Sequence, residues 1–149
     1  MAEYRSSSRS RDVGDADAFD LVAEALLTWE VHRRTGFRIV SAPPRAVVGA
    51  EFVARAPFVP VTSHCEVTEL IDSVGRVGFT YRTLPGHPLD GEETFLVERR
   101  DDRTVFSVSE RSRPARFVTR LPGARLIQAR INERYLDAAE DIGATAAIG

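Results

Sequence analysis

FTYRTLPGHPLDGEETFLV, residues 79–97, reads as two extended runs around a turn. Phe79 and Tyr81 alternate with polar neighbours before it, and Glu93, Phe95 and Val97 alternate after it. Between them lie Pro85, Gly86, His87, Pro88, Asp90 and Gly91, residue types that set or tolerate turn geometry. The stretch therefore predicts a β-hairpin with a shaped turn. One of only three histidines sits in that turn, and the adjacent acids Glu92 and Glu93 follow it. An imidazole titrates near neutral pH and a carboxylate can orient it, so His87 and Glu93 are the candidate catalytic pair. Successive strand residues face opposite sides of a sheet, so only one of the two acids shares the face of Phe95 and Val97. That acid is Glu93.

Outward from the hairpin, strand signals continue in both directions. Upstream, Val47 to Arg55 places Val48, Ala50, Phe52 and Ala54 on one face. Val61 to Ile71 places Cys65, Val67 and Ile71 on one face, and Val74 to Thr83 leads into the turn. Gly75 and Gly78 mark bulges or close backbone approach. Downstream, Asp101-Asp102 makes a tight turn into Arg103 to Glu110, with Phe106 and Val108 inward. Phe37 to Val40 is a short extended piece, and Ala42-Pro43-Pro44 bars both helix and central strand.

Helices flank this run. One starts near Asp15 or Asp17, whose charge suits the positive end of a helix dipole. It carries Phe19, Val22, Leu26 and Trp29 as one stripe and stops at Gly36. His32 reads as a helix-end histidine. A long C-terminal helix spans roughly Pro122 to Ile142, with Ala124, Ile127, Ile131, Tyr135 and Ala138 as its apolar stripe and Gln128 at the edge. Residues 1–13, rich in serine and arginine, predict a mobile polar tail, and the closing GATAAIG a frayed end. Residues 14–149 then form a single domain, long enough to bury a core.

Composition excludes more than it assigns. Apolar residues make up 43%, charged residues 28%, and the net charge is −2, an ordinary globular profile that does not suggest a nucleic-acid partner. All twenty basic residues are arginine, as in a high-GC bacterial genome. The single cysteine, Cys65, excludes an internal disulfide and points to a reducing compartment. With no span-length apolar run and no secretory leader pattern, a cytoplasmic location is expected.

The element order, a helix, about five antiparallel strands and a long helix, predicts an α+β fold. A curved antiparallel sheet carries the N-terminal helix and the long C-terminal helix on one face. Helix-grip folds of the START and polyketide-cyclase kind look like this, although they begin with a strand that is missing or very short here. At the hairpin the sequence resembles the family DUF1990. The resemblance rests on Gly78-Phe79-Thr80-Tyr81, Thr83-Leu84-Pro85-Gly86-His87-Pro88 and Gly91-Glu92-Glu93 with Phe95. It extends to Leu27-Thr28-Trp29, Gly49, Ser112-Arg113-Pro114, Gln128 and Tyr135, covering about residues 16 to 140. Arg82 departs from it, standing where glycine is expected. The resemblance implies a helix-grip architecture and brings no activity with it.

A helix laid across a sheet encloses a place for a small molecule. The expected occupant is a small hydrophobic or amphipathic ligand, contacted by Trp29, Phe79, Tyr81, Thr83, Glu92, Phe95 and Gln128. The alternative is an enzyme on the same fold, a cyclase, isomerase or hydrolase working through His87 and Glu93. A third reading is an interaction or homodimerisation module with a filled core. An open cavity lined by Tyr81, Glu93 and Gln128, with His87 at its mouth, favours the first two. A core filled by Trp29, Phe79, Phe95, Phe106 and Tyr135 counts against both. No cofactor is expected, and no metal: the histidines fall at 32, 64 and 87, and His64 and Cys65 point apart. Cys65 on an apolar strand face reads as inert. From Arg111 to Arg134 seven arginines face one acid; a solvated helix flank explains them more simply than a ligand phosphate or carboxylate.

Overall fold

The computed structural model describes residues 3–115 and 123–148. In chain order the elements are β1 (Arg5–Asp15), α1 (Ala18–Leu27), α2 (Glu30–Thr35), β2 (Arg38–Ser41), β3 (Glu51–Arg55), β4 (Thr62–Ser73), β5 (Arg76–Thr83), β6 (Leu89–Arg100), β7 (Arg103–Pro114) and α3 (Ala124–Ala146). The strands form one antiparallel sheet in the order β1-β7-β6-β5-β4-β3-β2. From β2 to β7 each strand neighbours the next in sequence, as short turns require, and β1 closes the far edge beside β7. The expected α+β layering, helices on one face of the sheet, is the observed one.

The stretch expected as a mobile tail is, from Arg5 on, the edge strand β1, so the opening strand of the helix-grip order is present and eleven residues long. Its alternation is written in arginine and serine, which hid it. Arg9 and Arg11, opposite Val108 and Phe106, face inward. Their guanidinium groups bridge to acids on α3: Arg9 to Glu133 at 2.8 Å, and Arg11 to Glu133 at 2.6 Å and to Asp137. Val13 is the extra residue of a bulge between Asp12 and Gly14 and is buried. Gly143 of α3 lies against it: a Cβ there would stand 1.9 Å from the Val13 carbonyl oxygen, so only glycine allows α3 to come this close.

The expected first helix is two. Thr28 turns its hydroxyl back to the Glu24 carbonyl, and Trp29 takes a left-handed backbone with φ of 70°. That conformation costs roughly 1–2 kcal/mol for a residue with a Cβ. It is offset by where it puts the indole: fully buried, stacked on Phe52 at 4.7 Å, with Nε1–H donating to the Pro43 carbonyl at 2.8 Å. Gly36 ends α2 in left-handed geometry, as expected.

On the inner sheet face, Phe52, Ala54, Cys65, Val67, Phe79, Tyr81, Phe95, Val97, Phe106 and Val108 are buried. Thr68 has no partner in the β4–β5 ladder, and this bulge resets the alternation. Leu70 pairs with Phe79, and Ile71 loses its expected companionship with Cys65 and Val67. Val48 lies before β3 and is exposed. Gly78 meets its expectation of close approach: a Cβ would sit 2.0 Å from the Phe95 carbonyl oxygen. Ile131, Tyr135 and Ala138 of the predicted helical stripe are buried, joined by Leu136, Ala139 and Ile142. Pro122 lies outside the described residues, as does the side chain of Ala124. No helix among the described residues is long and apolar enough to cross a membrane.

Candidate functional site

The interior between α3 and the sheet has two ends. One is a plug of rings. Trp29, Phe79, Phe95 and Phe106 have no exposed surface and Tyr135 almost none, so the five residues whose packing marks a filled core do fill it. Phe95 stands 5.4 Å from Phe79 and 4.9 Å from Tyr135, ring centre to ring centre. In their midst is His32, fully buried, 4.8 Å from the Phe95 ring and 5.2 Å from Tyr135. His32 lies in the last turn of α2, as the helix-end reading expects, and its imidazole is fully buried there. The break at Trp29 turns α2 so that the imidazole points inward. Burial, then the Arg33 charge, pushes its pKa down to about 3, and it is neutral.

The other end is polar. His32 Nε2 lies 3.2 Å from the Tyr81 hydroxyl, which donates to Glu93 Oε1 at 3.2 Å. Glu93 keeps some exposed surface as a residue, but its Oε2 is sealed from solvent and lacks a hydrogen-bond partner, as does His32 Nδ1. In the β6–β7 register Glu93 stands directly opposite Glu110, so two carboxyl groups share the inner face on neighbouring strands. Burial first, then the charge of Glu110, raises the Glu93 pKa to about 8. Glu110 is raised too, chiefly by burial, while accepting hydrogen bonds from Gln128 at 3.2 Å and Ser7 at 3.4 Å. Gln128 also donates to the Asn132 side chain at 3.3 Å.

The ring nitrogens of His87 bond to groups other than Glu93. Nδ1 accepts the Leu89 backbone N–H at 3.0 Å. The ring proton therefore sits on Nε2, which donates to the Ser63 hydroxyl at 3.0 Å. Ser63 in turn lies 3.6 Å from Cys65 Sγ. Burial pushes His87 down to about 4 and the Cys65 thiol up to about 12, so at neutral pH one is an uncharged imidazole and the other an inert thiol. His87 also lines an outer groove of about 510 Å³ with Arg82, Thr83, Leu84, Asp90 and Arg113.

Of the residues expected from sequence, Tyr81, Glu93 and Gln128 converge on the polar end, and Trp29, Phe79 and Phe95 belong to the plug. Thr83 closes the strand ends, its hydroxyl accepting the Gly91 N–H at 3.0 Å. Glu92 lies on the opposite sheet face, exposed and across from Arg111, away from the others. Sequence reasoning missed His32, Glu110, Asn132 and Ser63. Extending β7 by strand parity from Phe106 and Val108 brings Glu110 inward.

The basic stretch is put to structural use where it is described. The guanidinium groups of Arg130 and Arg134 lie 5.4 and 5.1 Å from the Phe58 ring centre, and Arg134 Nε donates to the Thr35 carbonyl at 2.8 Å. Arg116 and Arg120 fall outside the described residues. Arg82, the departure from the expected glycine, is exposed in a regular strand and paired with Glu66 at 2.7 Å. Among the described residues no three His, Cys, Asp or Glu side chains gather to hold a metal ion.

A seven-stranded antiparallel sheet gripping a long C-terminal helix defines the helix-grip class. Solved structures share the fold. A hypothetical protein of Helicobacter pylori matches with a TM-score of 0.66 at 14% identity over 95% of this chain and 88% of its own. The major latex-like protein 151 of Panax ginseng matches at 0.63 and 13% identity over 91% and 97%. The chain belongs to the family DUF1990, described as a domain of unknown function, whose model matches residues 2–138. A UPF0548 protein of Deinococcus radiodurans is 46% identical over 63 residues, 39% of this chain and 32% of the relative; the match spans about a third of that relative's length.

Proposed function

We propose that the protein is a small-molecule-binding domain that takes an amphipathic ligand at the polar end of the interior. In this reading the ring plug closes one side of the site expected between Tyr81, Glu93 and Gln128, and a ligand enters from the other. The observation that carries it is Glu93 Oε2, sealed and unpartnered at the polar end, where the neighbouring Tyr81, Glu110, Gln128 and Asn132 side chains are hydrogen-bonded. Leaving a buried polar atom unpaired costs about 1–3 kcal/mol, and a ligand group that completes the bond recovers it. The acid–base alternative through His87 is disfavoured, because both ring nitrogens are engaged by Ser63 and Leu89.

Native mass spectrometry of the protein as purified from its expressing cells, followed by amide shift mapping with any ligand released, tests this. A retained small molecule that perturbs the amides of Tyr81, Glu93 and Glu110 is the expected result. Shifts confined to the outer sheet face would sink it. The filled plug supports a second reading, an interaction module. Exposed Val40, Val47 and Val48 on and beside the edge strand β2 would then form the contact. A concentration-dependent dimer in sedimentation, abolished by Val40→Arg, is its test.

A further inference from the structure

Glu93 and Glu110 are an unusual pair in this chain. Twenty arginines are available, and surface acids such as Asp12, Glu24, Glu66 and Asp90 each have a guanidinium within 2.8 Å. Yet the two inward carboxylates stand opposite one another, and among the described residues neither forms an ion pair. The groups facing them are neutral or hydrogen-bonding: Tyr81 and Cys65 from the sheet, Tyr135, Gln128 and Asn132 from α3, and Ser7 from β1. Arg9 acts on Glu110 only at longer range, its guanidinium being bonded to Glu133. Both acids and Gln128 retain partial exposure as residues, so they lie close enough to the surface for a small group to reach Glu93 Oε2 once the side chains that seal it shift.

We infer that the carboxyl groups of Glu93 and Glu110 together receive the protonated amine of an organic ligand, with Glu93 Oε2 accepting one of its N–H bonds. This rests on the binding reading above and names its ligand class. An ammonium carries three donors and no acceptor, which matches a site offering carboxylate oxygens and lacking a cation of its own. The attraction between a cation and two carboxylates also removes the repulsion that sets the two acids against each other. In the empty site the pair relieves that repulsion by holding a proton. An arriving ammonium replaces the proton, which leaves to buffer, so charge is balanced. The apolar remainder of the ligand is left to the rim, where half-buried Ile127 precedes Gln128.

The test uses the whole chain and three probes of one shape: 2-phenylethylamine, 2-phenylethanol and 3-phenylpropionate. Titration calorimetry at pH 7 in two buffers of different ionisation enthalpy should show the amine binding at least tenfold more tightly than the alcohol. The acid should not bind, and close to one proton should be released per amine bound. Glu93→Gln and Glu110→Gln should each weaken the amine more than tenfold, while Glu92→Gln, on the outer face, leaves it unchanged. These substitutions keep side-chain shape, and thermal melts of each variant confirm folding. An alcohol that binds as tightly as the amine, or an amine indifferent to Glu110→Gln, overturns the amine assignment while leaving the binding site standing. Failure of all three probes to perturb the Tyr81, Glu93 and Glu110 amides overturns both.

Discussion

Around Trp29, Phe52, Phe79 and Phe95 the interior meets ring with ring, whereas around Glu93 and Glu110 it meets polar group with polar group. The first region is self-sufficient: apolar packing has no direction, and each ring finds several neighbours. The second is directional, and its hydrogen bonds run out before its atoms do, leaving Glu93 Oε2 over. Stability therefore resides in the rings, and the proposed recognition in the polar end. His32 and Tyr81 join the two, and their hydrogen bond is the seam.

Substitutions should separate the two regions by size of effect. Phe95→Ala empties the centre of the plug and should cost about 3–5 kcal/mol in urea unfolding. A cost below about 2 kcal/mol would mean the rings line a space rather than fill it. The polar end should show itself in pH. Glu93 holds its proton up to about pH 8 in the fold, against an ordinary 4.5, so the folded state binds more protons across that window. Its contribution to stability is greatest below pH 4.5, falls as pH rises, and is lost above pH 8. His32 and His87, at about 3 and 4 against an ordinary 6.5, act oppositely. Below pH 6.5 the unfolded chain takes up protons that the fold refuses, and stability falls with pH. Thermal melts should therefore peak near pH 6.5 and decline towards pH 8 with a slope of up to about 1.4 kcal/mol per pH unit. Glu93→Gln should flatten that alkaline limb and steepen the acid limb between pH 4.5 and 6.5.

At the seam, His32→Phe keeps a ring and loses the bond to Tyr81, so about 1 kcal/mol is expected in the same unfolding assay, with a shallower acid limb. Smallest is Thr94→Val on the outer sheet face, where the hydroxyl pair with Thr80 at 2.7 Å is partly solvated. It should change stability by less than about 0.5 kcal/mol.

The hairpin and its neighbours were legible because their alternation is apolar against polar. From Phe52 to Val108 that pattern placed the inward residues, except where the Thr68 bulge shifts the count by one. β1 was illegible for the converse reason: its inward positions carry Arg9 and Arg11, whose partners are acids on α3 more than a hundred residues away. The break at Trp29 left no local mark, since a left-handed tryptophan is paid for by Phe52 and Pro43. Of the site, parity found Glu93, and the helix edge found Gln128. The inward turn of His32 depended on that same break, and His87's partner Ser63 on the sheet register.

The pairing of β1 with β7 joins segments such as Ser7 and Glu110 that lie 103 residues apart. Closing a loop of that length costs on the order of 4 kcal/mol of chain entropy, so β1 docks after the hairpins have formed. It is also made before β7 during synthesis and must wait for its partner. A strand of valine and isoleucine waiting in water would pair with whatever edge it met. One of serine and arginine stays solvated and repels its own kind, and becomes a strand only when β7 and the acids of α3 are in place to receive it.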